Sequence, residues 1–256
     1  MSMSVPDIPT QQISELVHDL NTTGFVCLPN YVQHDDLQRM QDFVTSAVNK
    51  SGNQYVDFRG PDTVYGSGLE ILARTPQFER LMYGLYEQGT GKVAPGEAFY
   101  QVLRCLTGSE AQKHSLIYHY DSYVVTALIP IHIPSEGCAG DLLIYPNTRK
   151  IRNAYLLNVL DKVLLNNPVT QWVLRARRNT RMLSPMRIKL VPGHLYLFWG
   201  YRSIHTNEPC DPDKVRATAL FHYANPHPRT IRQTVQKALR SLRGNNRNFS
   251  STPFNP

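Results

Sequence analysis

The chain has 256 residues, a mass of 29.2 kDa and a formal net charge of +7, and 41% of its residues are hydrophobic. This composition can form a hydrophobic core, so wholesale disorder is excluded. The most apolar long stretch, residues 124–133, is too short and too polar to span a membrane. The N-terminus lacks the features of a secretory signal, and the four cysteines have no C-x-x-C spacing. We therefore expect a cytoplasmic protein with reduced thiols.

The positive charge is concentrated in two segments. Residues 149–189 carry a net charge of +9 and residues 226–256 carry +6, whereas the rest of the chain carries −8. A basic surface can attract nucleic acid or an anionic substrate, but it is also typical of a solvated helix face. We favour solvated helix faces and expect no nucleic-acid partner.

The N-terminal part predicts a helix, a short strand and a second helix. Apolar residues recur at i, i+3, i+4 and i+7 over residues 13–20, with Thr10 as the predicted N-cap. Phe25–Leu28 predicts the strand, and a second apolar helix face covers residues 37–48. Residues 51–68 are polar and predict a loop-rich stretch.

The remainder of the chain predicts a mainly β domain with helical additions. Residues 153–181 have helical spacing and predict a helical insert, and the apolar residues between 231 and 242 predict a C-terminal helix before a frayed tail at 245–256. No linker marks a second domain, so we expect one domain over residues 1–256. The predicted strands are rich in β-branched and aromatic residues and lie at 99–106, 116–133, 141–145, 186–191, 194–199 and 215–223.

The tripeptide His119-Tyr120-Asp121 lies in one of these predicted strands. Residues i and i+2 of a strand point to the same face, so the imidazole and the carboxylate converge. With one further histidine they form the 2-His-1-carboxylate set that holds iron(II) and leaves coordination positions open. Alone, the pair is better explained by a surface pair or a core hydrogen bond. The other histidines of the predicted β region are His114, His132, His194, His205 and His222.

A second pair, Arg216 and Thr218, lies in a strand whose other residues are nearly all apolar. A buried guanidinium needs a carboxylate partner. That partner is either the carboxylate of a bound ligand, with the Thr218 hydroxyl as second donor, or an internal acid such as Glu97 or Asp141. Spacing alone does not decide between the two.

The order and spacing of these groups resemble the iron(II)/2-oxoglutarate dioxygenase superfamily, and within it the phytanoyl-CoA dioxygenase type. The H-x-D pair is followed by His205 on a later strand, and then by Arg216 and Thr218 eleven and thirteen residues further on. Residues 13–29 resemble the opening of that type, and residues 140–146 resemble the segment that follows its iron strand. The resemblance covers residues 10–225 apart from the insert. It implies a double-stranded β-helix, the jelly-roll or cupin-like core.

The resemblance also implies the ligands of the site and its cofactors: iron(II), 2-oxoglutarate and O2. Arg104 lies on the strand before the iron strand, where relatives place cosubstrate and substrate contacts; a surface ion pair is its alternative role. The implied iron ligands, which are also the implied catalytic residues, are His119, Asp121 and His205. The implied 2-oxoglutarate ligands are Arg216, Thr218 and Arg104.

The implied activity is oxidation of a C–H bond, most simply hydroxylation, with release of succinate and CO2. Because related halogenases have a small residue at the position of Asp121, hydroxylation, desaturation or cyclisation is favoured over halogenation. A non-catalytic metal-binding β-barrel is the alternative class. Nucleic-acid demethylases of this chemistry have a second arginine six residues after the first, and here that residue is His222. A zinc hydrolase fits poorly, because no H-E-x-x-H motif is present.

The expected substrate is a small metabolite with a carboxylate, such as an amino acid or a natural-product intermediate. The helical insert is expected to act either as a lid or as the contact surface of a homodimer. Aromatic side chains on strands are more often part of a core than of a pocket. With that alternative open, the residues proposed to contact substrate are Gln101, Tyr118, Tyr120, Tyr145, Trp199 and Arg202.

Overall fold

The computed structural model describes residues 3–152, 154–178, 180 and 184–227, and two antiparallel sheets form its centre. The helices are α1 (Thr10–Thr22), α2 (His34–Lys50), α3 (Leu69–Leu72), α4 (Pro76–Thr90), α5 (Tyr155–Leu165) and α6 (Pro168–Arg177). The strands are β1 (Phe25–Leu28), β2 (Val56–Arg59), β3 (Tyr100–Leu106), β4 (Val125–His132), β5 (Leu142–Tyr145), β6 (Met186–Ile188), β7 (Leu195–Phe198), β8 (Ile204–Asn207) and β9 (Arg216–Tyr223).

The larger sheet has the order β1-β7-β4-β9-β3-β2, and the smaller sheet has the order β6-β5-β8. Side chains alternate between the two faces of each strand. On β9, Ala217, Ala219 and Phe221 belong to the core beneath the helices, whereas Leu220 packs in the cluster that joins the two sheets. Two facing sheets with helices on the outside confirm the predicted jelly-roll class.

The helices α1, α2 and α4 cover the outer face of the larger sheet through the residues that their periodicity marks as apolar. In α1 the buried residues are Ile13, Leu16, Val17 and Leu20, as predicted. On α4, the fully buried Phe78 contacts the rings of Tyr31, Phe99 and Phe221 at centroid distances of 5.1–6.3 Å. The core therefore lies between these helices and the sheet.

Four expectations about local structure are corrected. The polar stretch 51–68 contains β2, which pairs with β3 despite its partly exposed residues. Only the second half of the strand predicted at 116–133 is a regular strand, β4. Thr10 is the first residue of α1 and Pro9 is its N-cap. Helix α4 was not predicted, although Thr75 caps it and Gly91 ends it in the left-handed conformation.

The predicted helical insert is present as α5 and α6, between β5 and β6. The predicted C-terminal helix and the tail at 245–256 lie outside the described residues. None of the described helices combines the length and the apolar composition that a bilayer crossing requires. The four cysteines are free, as predicted.

Replacement of Phe78 by alanine is predicted to lower the free energy of unfolding by about 3–5 kcal/mol, because the side chain is fully buried among aromatic rings. Chemical denaturation of the parent and the variant measures the change. Tyr65→Ala is the control, since Tyr65 is 80% exposed, and its effect is expected within about 0.5 kcal/mol. Equal effects of the two changes would contradict the described core.

Candidate metal centre and anion pocket

His119 and His205 are brought together by a short backbone bridge between the segment before β4 and the strand β8. The His119 N–H donates to the His205 carbonyl at 3.1 Å, and the His205 N–H donates to the His119 carbonyl at 3.0 Å. Their imidazole centroids are 4.4 Å apart. Of the histidines in the predicted β region, the backbone therefore pairs these two, which the resemblance identifies as metal ligands.

Each of these two imidazoles has one nitrogen occupied by the backbone. Nδ1 of His119 lies 2.9 Å from the Ile117 carbonyl, and Nδ1 of His205 lies 3.1 Å from the Ser203 carbonyl. A carbonyl only accepts hydrogen bonds, so Nδ1 carries the proton in both rings and Nε2 keeps its lone pair. This tautomer makes Nε2 available as a metal ligand.

Residues 120–124 are not in a regular strand, so strand geometry does not position Asp121. A contact with Gly200 positions it instead. The Asp121 N–H donates to the Gly200 carbonyl at 3.0 Å. A Cβ atom at position 200 would lie 2.3 Å from Oδ2 of Asp121 and 2.2 Å from Oγ1 of Thr126, so only glycine allows this approach. The convergence predicted from strand alternation is present, but an irregular segment produces it.

The two carboxylate oxygens of Asp121 have different neighbours. Oδ2 accepts a hydrogen bond from the Thr126 hydroxyl at 2.6 Å, and Nδ1 of His222 lies 3.4 Å from Oδ2 and 3.1 Å from that hydroxyl. Oδ1 lies 3.5 Å from Nε2 of His205 and 3.8 Å from Nε2 of His119. Thr126 and His222 therefore hold one oxygen and turn the other towards the two imidazoles.

The charges of this cluster stabilise the ionised carboxylate. Burial opposes ionisation of Asp121, but the charges of His205 and His222 outweigh it and hold the pKa of Asp121 well below its usual value. Burial lowers the pKa of His205, yet the charge of Asp121 raises it overall. Desolvation and the charge of His205 lower the pKa of His119, which favours the neutral imidazole. A metal binds the carboxylate and neutral imidazoles, so an ion at this site would displace the proton that Asp121 favours on His205.

The three side chains are close enough together that they could hold one metal ion. One ligand atom from each of His119, Asp121 and His205 lies within 4.8 Å of the others. Metal–ligand bonds of about 2.0–2.2 Å place two ligands of one ion up to roughly 4 Å apart, so the two 3.5–3.8 Å separations fit a shared ion. Two imidazoles and one carboxylate on one side of an ion are the donor set of non-haem iron(II) oxygenases.

Arg216 lies on β9, facing the space between the two sheets, and is 3% exposed. Its Nε donates to the Gly140 carbonyl at 2.7 Å, and its Nη1 donates to the Thr218 hydroxyl at 3.3 Å. Gly140 is required here, because its φ is +75° and a Cβ would lie 2.5 Å from Cδ of Arg216. The guanidinium is therefore fixed by backbone and side chain together.

No carboxylate in the described part of the chain forms an ion pair with Arg216. Glu97 instead accepts a hydrogen bond from the Asn225 N–H at 3.0 Å, and Asp141 affects Arg216 only through its charge. Burial and the neighbouring Arg104 lower the pKa of Arg216 to about 10. The internal ion pair with Glu97 or Asp141 is therefore not found, and no acid among the described residues matches this cation.

The two histidine ligands, Arg104 and Arg216 line one cavity. Its volume is about 40 Å³, well below the roughly 300–1,000 Å³ of typical ligand pockets. Arg104 lies opposite Thr218 in the β3–β9 register and donates to the His114 carbonyl at 3.2 Å. The lining residues are Arg104, His119, Leu128, Leu142, Phe198, His205, Thr206, Asn207, Arg216, Thr218 and Leu220.

Three of the residues proposed to contact substrate lie elsewhere. Gln101 and Arg104 are three residues apart on β3, so their side chains lie on opposite faces of the sheet. Gln101 shares the face of Leu103. Trp199 is 1% exposed and packs against Gly89 of α4. Arg202 donates to Asn21 at 2.7 Å and lines a separate cavity. All three side chains contact other parts of the fold, and none of them contacts the metal ligands.

The three tyrosines proposed to contact substrate are not among the residues that line the cavity. Tyr120 bonds to Thr148 at 3.0 Å, and the guanidinium of Arg149 stacks 3.8 Å over its ring. Tyr118 and Tyr145 have ring centroids 6.1 Å apart, and both of their hydroxyls are buried without a hydrogen-bond partner. Burial raises the pKa of Tyr118 to about 12, so its hydroxyl stays protonated. Substrate contact by these tyrosines stays a prediction.

Sequence reasoning did not identify the residues that orient Asp121. Thr126 and His222 are directly opposite each other in the β4–β9 register, although they are 96 residues apart in the chain. His222 also stacks beside Tyr100 and Tyr123 at centroid distances of 6.1 and 5.6 Å. The available signal in the sequence was a polar residue in an otherwise apolar strand. This pattern indicates His222, but it does not indicate which residue His222 contacts. Of the other histidines of that region, His114 stacks on Tyr55 at 3.8 Å.

No protein-family model matches the chain, and no curated protein matches it. Solved structures do match. A prolyl hydroxylase from Trichoplax adhaerens, in complex with a hypoxia inducible factor peptide, is 16% identical with a TM-score of 0.54, and the match covers 84% of this chain and 90% of that one. A Pseudomonas putida prolyl-4-hydroxylase is 13% identical with a TM-score of 0.53, covering 88% and 98%.

A third match is the non-heme alpha-ketoglutarate-dependent epimerase SnoN from nogalamycin biosynthesis, which is 12% identical with a TM-score of 0.53, covering 85% of this chain and 84% of the epimerase. Alpha-ketoglutarate is another name for 2-oxoglutarate. At these identities the matches establish the fold. The resemblance to the phytanoyl-CoA dioxygenase type stays a prediction. The chain has the fold of the iron(II)/2-oxoglutarate oxygenases, as the resemblance in its motifs implied.

Proposed function

We propose that the chain is an iron(II)/2-oxoglutarate-dependent oxygenase that hydroxylates a C–H bond of a small, carboxylate-bearing metabolite. One observation carries the proposal: a His-Asp-His cluster with the donor set of non-haem iron shares a cavity with Arg216, a buried cation that has no anion among the described residues. A metal site alone fits many proteins. A metal site beside an unpaired guanidinium fits a ligand that has one end for the metal and a carboxylate at the other.

The residues of the metal site would hold the ion through Nε2 of His119, Nε2 of His205 and Oδ1 of Asp121. Held in this way, the ion would keep its remaining coordination positions open to ligands from the cavity. When bound, iron(II) and 2-oxoglutarate supply the oxidising chemistry, which consumes O2 and releases succinate and CO2. Thr126 and His222 keep Asp121 in the orientation that the site needs.

Arg216 and Thr218 would bind the carboxylate of 2-oxoglutarate that is remote from the metal. The guanidinium and the hydroxyl face the same cavity, and the Gly140 carbonyl fixes the guanidinium. Arg104 adds a second positive charge on the neighbouring strand. Between these cations and the imidazoles, the side chains of Leu128, Leu142, Phe198 and Leu220 give the cavity apolar walls, which exclude water and strengthen charge interactions inside it.

The substrate class rests on the charge of the site and is a proposal. The prolyl hydroxylase from Trichoplax adhaerens was solved with a peptide, whereas the epimerase SnoN belongs to nogalamycin biosynthesis. The cationic lining of the cavity suits a small acid. Desaturation or cyclisation by the same residues is the alternative outcome. Because Asp121 supplies a carboxylate to the metal, halogenation is disfavoured.

A reducing, cytoplasmic location is part of the proposal. All four cysteines are free, and Cys105 and Cys210 are buried. Thiols stay reduced in the cytoplasm and form disulfides in oxidising compartments. Iron(II) is also the form of the metal that a reducing environment maintains.

Arg216→Met is predicted to weaken 2-oxoglutarate binding at least about tenfold, because hydrogen bonds to a charged group contribute about 1.5–3 kcal/mol each. Equilibrium titration of the cobalt(II)-loaded protein measures the affinity, and cobalt(II) affinity itself should stay unchanged. Arg187→Met is the control, since Arg187 is paired with Glu208 at 2.8 Å. Unchanged 2-oxoglutarate affinity in Arg216→Met would contradict the assigned cosubstrate pocket.

Reversal of charge at Arg104 is predicted to abolish succinate release, whereas the same change at Arg177 leaves it nearly unchanged. Arg104 lines the cavity, and Arg177 is exposed at the end of α6. Succinate release from 2-oxoglutarate is measured for Arg104→Glu and Arg177→Glu with a panel of small carboxylic acids. If Arg177→Glu loses activity and Arg104→Glu keeps it, the anionic ligand binds at the insert rather than in the cavity.

Thr126→Val is predicted to lower metal affinity about tenfold, because the variant keeps the shape of the side chain but removes the hydroxyl that holds Oδ2 of Asp121. Anaerobic titration with iron(II) or cobalt(II) gives the affinity, and denaturation checks that the fold is kept. Thr45→Val is the control, since its hydroxyl bonds only to the Gln41 carbonyl within α2. Equal metal affinity in both variants would show that Thr126 does not position the ligand.

A further inference from the structure

The helical insert exposes an apolar surface. Seven large apolar side chains of the insert are 48–68% exposed, although single exposed apolar residues are the norm on a protein surface. We call this surface the insert face. Its residues are Leu156, Leu157, Leu160, Val163 and Leu164 on α5, and Val169 and Trp172 on α6.

The orientation of α5 is the reverse of a normal surface helix, in which apolar residues point inward. At 100° per residue, the five exposed apolar residues of α5 fall within one arc of about 120°. The polar residues point to the protein: Asn158 is buried, Asp161 bonds to Arg149 at 3.0 Å and to Arg152 at 2.8 Å, and Lys162 donates to Ser122 at 2.8 Å. Polar contacts therefore anchor α5 and leave its apolar side uncovered.

The helix α6 is anchored in the same way. Gln171 is buried, accepts from the Tyr118 N–H at 3.1 Å and donates to the Tyr118 carbonyl at 2.8 Å. Arg175 donates to the Leu116 carbonyl at 3.0 Å. These bonds fix α6 to the segment that leads to His119, and they leave Val169 and Trp172 pointing outward. An insert held in this way is a fixed platform, which argues against its role as a lid.

We propose that the insert face is the contact surface of a homodimer, in which a second copy of this chain covers it. Seven large side chains at this exposure present on the order of 600 Å² of apolar surface per copy, compared with about 800 Å² per partner in a standard interface. The estimated area lies at the upper end of the range for the largest apolar patch on a typical monomer, about 300–600 Å², and such patches are often functional. The area therefore suits a specific protein contact.

The composition of the face favours a second copy. A twofold interface brings the same patch of each copy together, so a self-complementary patch must carry no like charges at its centre. The five exposed residues of α5 are all leucine or valine, and Asp161 and Lys162 turn away from them. Two such stripes can pack as helices do in bundles, with aliphatic side chains interdigitating.

The proposed dimer also supports the site. The helix α6 bonds to Leu116 and Tyr118, and His119 follows directly. A second copy packed on the outside of α5 and α6 would therefore lie against the element that holds this segment in place. The dimer contact and the metal ligand would then lie on the two sides of one anchored element.

Sedimentation velocity of the full chain tests the proposal. The parent is expected to sediment as a dimer, about twice the 29.2 kDa of the chain, across the micromolar range. The double variant Leu160→Glu/Val163→Glu and the single variant Trp172→Glu should weaken association at least about a hundredfold, because each places a charge in the apolar contact. Val93→Glu is the control: Val93 is 86% exposed outside the insert, and its variant should remain a dimer.

A monomeric parent would overturn the proposal, and so would a dimer that both face variants leave intact. Circular dichroism identifies a variant that has lost its fold, and the second face variant then decides. Two further results would assign the face to another occupant and count against a second copy. One is flotation of a monomeric parent with anionic lipid vesicles. The other is a monomeric parent that becomes a dimer when the chain is truncated after His227.

Discussion

Arg216 is removed from water, and its guanidinium contacts a carbonyl and a hydroxyl instead of a carboxylate. Burial of an unpaired ion costs several kcal/mol, which a protein tolerates only where another interaction offsets it. A ligand carboxylate in the cavity would offset this cost. This charge imbalance relates the anion pocket to the metal cluster, because both open into the same cavity.

The register of the sheets creates the site. On β9, alternation places Arg216, Thr218 and His222 on the face towards the smaller sheet. Two glycines then allow close approach: Gly140 lies against Arg216, and Gly200 lies against Asp121. A side chain at either position would displace a group of the site. The outer face of the same strand belongs to the core beneath the helices, so one strand serves stability on one side and binding on the other.

The parts of the site that short spacing encodes could be predicted from the sequence. His119 with Asp121 and Arg216 with Thr218 are both i, i+2 pairs, and strand alternation gave the common direction of Arg216 and Thr218 correctly. The same rule predicted the convergence of His119 and Asp121 correctly, but strand alternation is not its cause. Contacts with Gly200 and Thr126 position the carboxylate.

Contacts between distant strands could not be predicted in this way. Thr126 meets His222 only through the β4–β9 register, which the sequence does not state. Gln101 was proposed as a substrate contact because it lies on the strand before the iron strand, but an odd separation of three residues places it on the opposite face from Arg104. Trp199 and Tyr118 were proposed as substrate contacts, and both are aromatic residues on or near strands. Both are buried by tertiary contacts, which the sequence does not state. The apolar face of α5 was visible as periodicity, but its outward direction depends on the ion pairs of Asp161.

The most direct test of the central claim is an anaerobic titration of the protein with iron(II) and 2-oxoglutarate, followed by visible absorption. Chelation of the metal by the keto acid gives a charge-transfer band that neither component gives alone. The described geometry predicts that this band saturates at one iron and one 2-oxoglutarate per chain, and that it is lost in His205→Ala. Absence of the band in the parent protein, or its persistence without His205, would contradict a shared site for metal and cosubstrate.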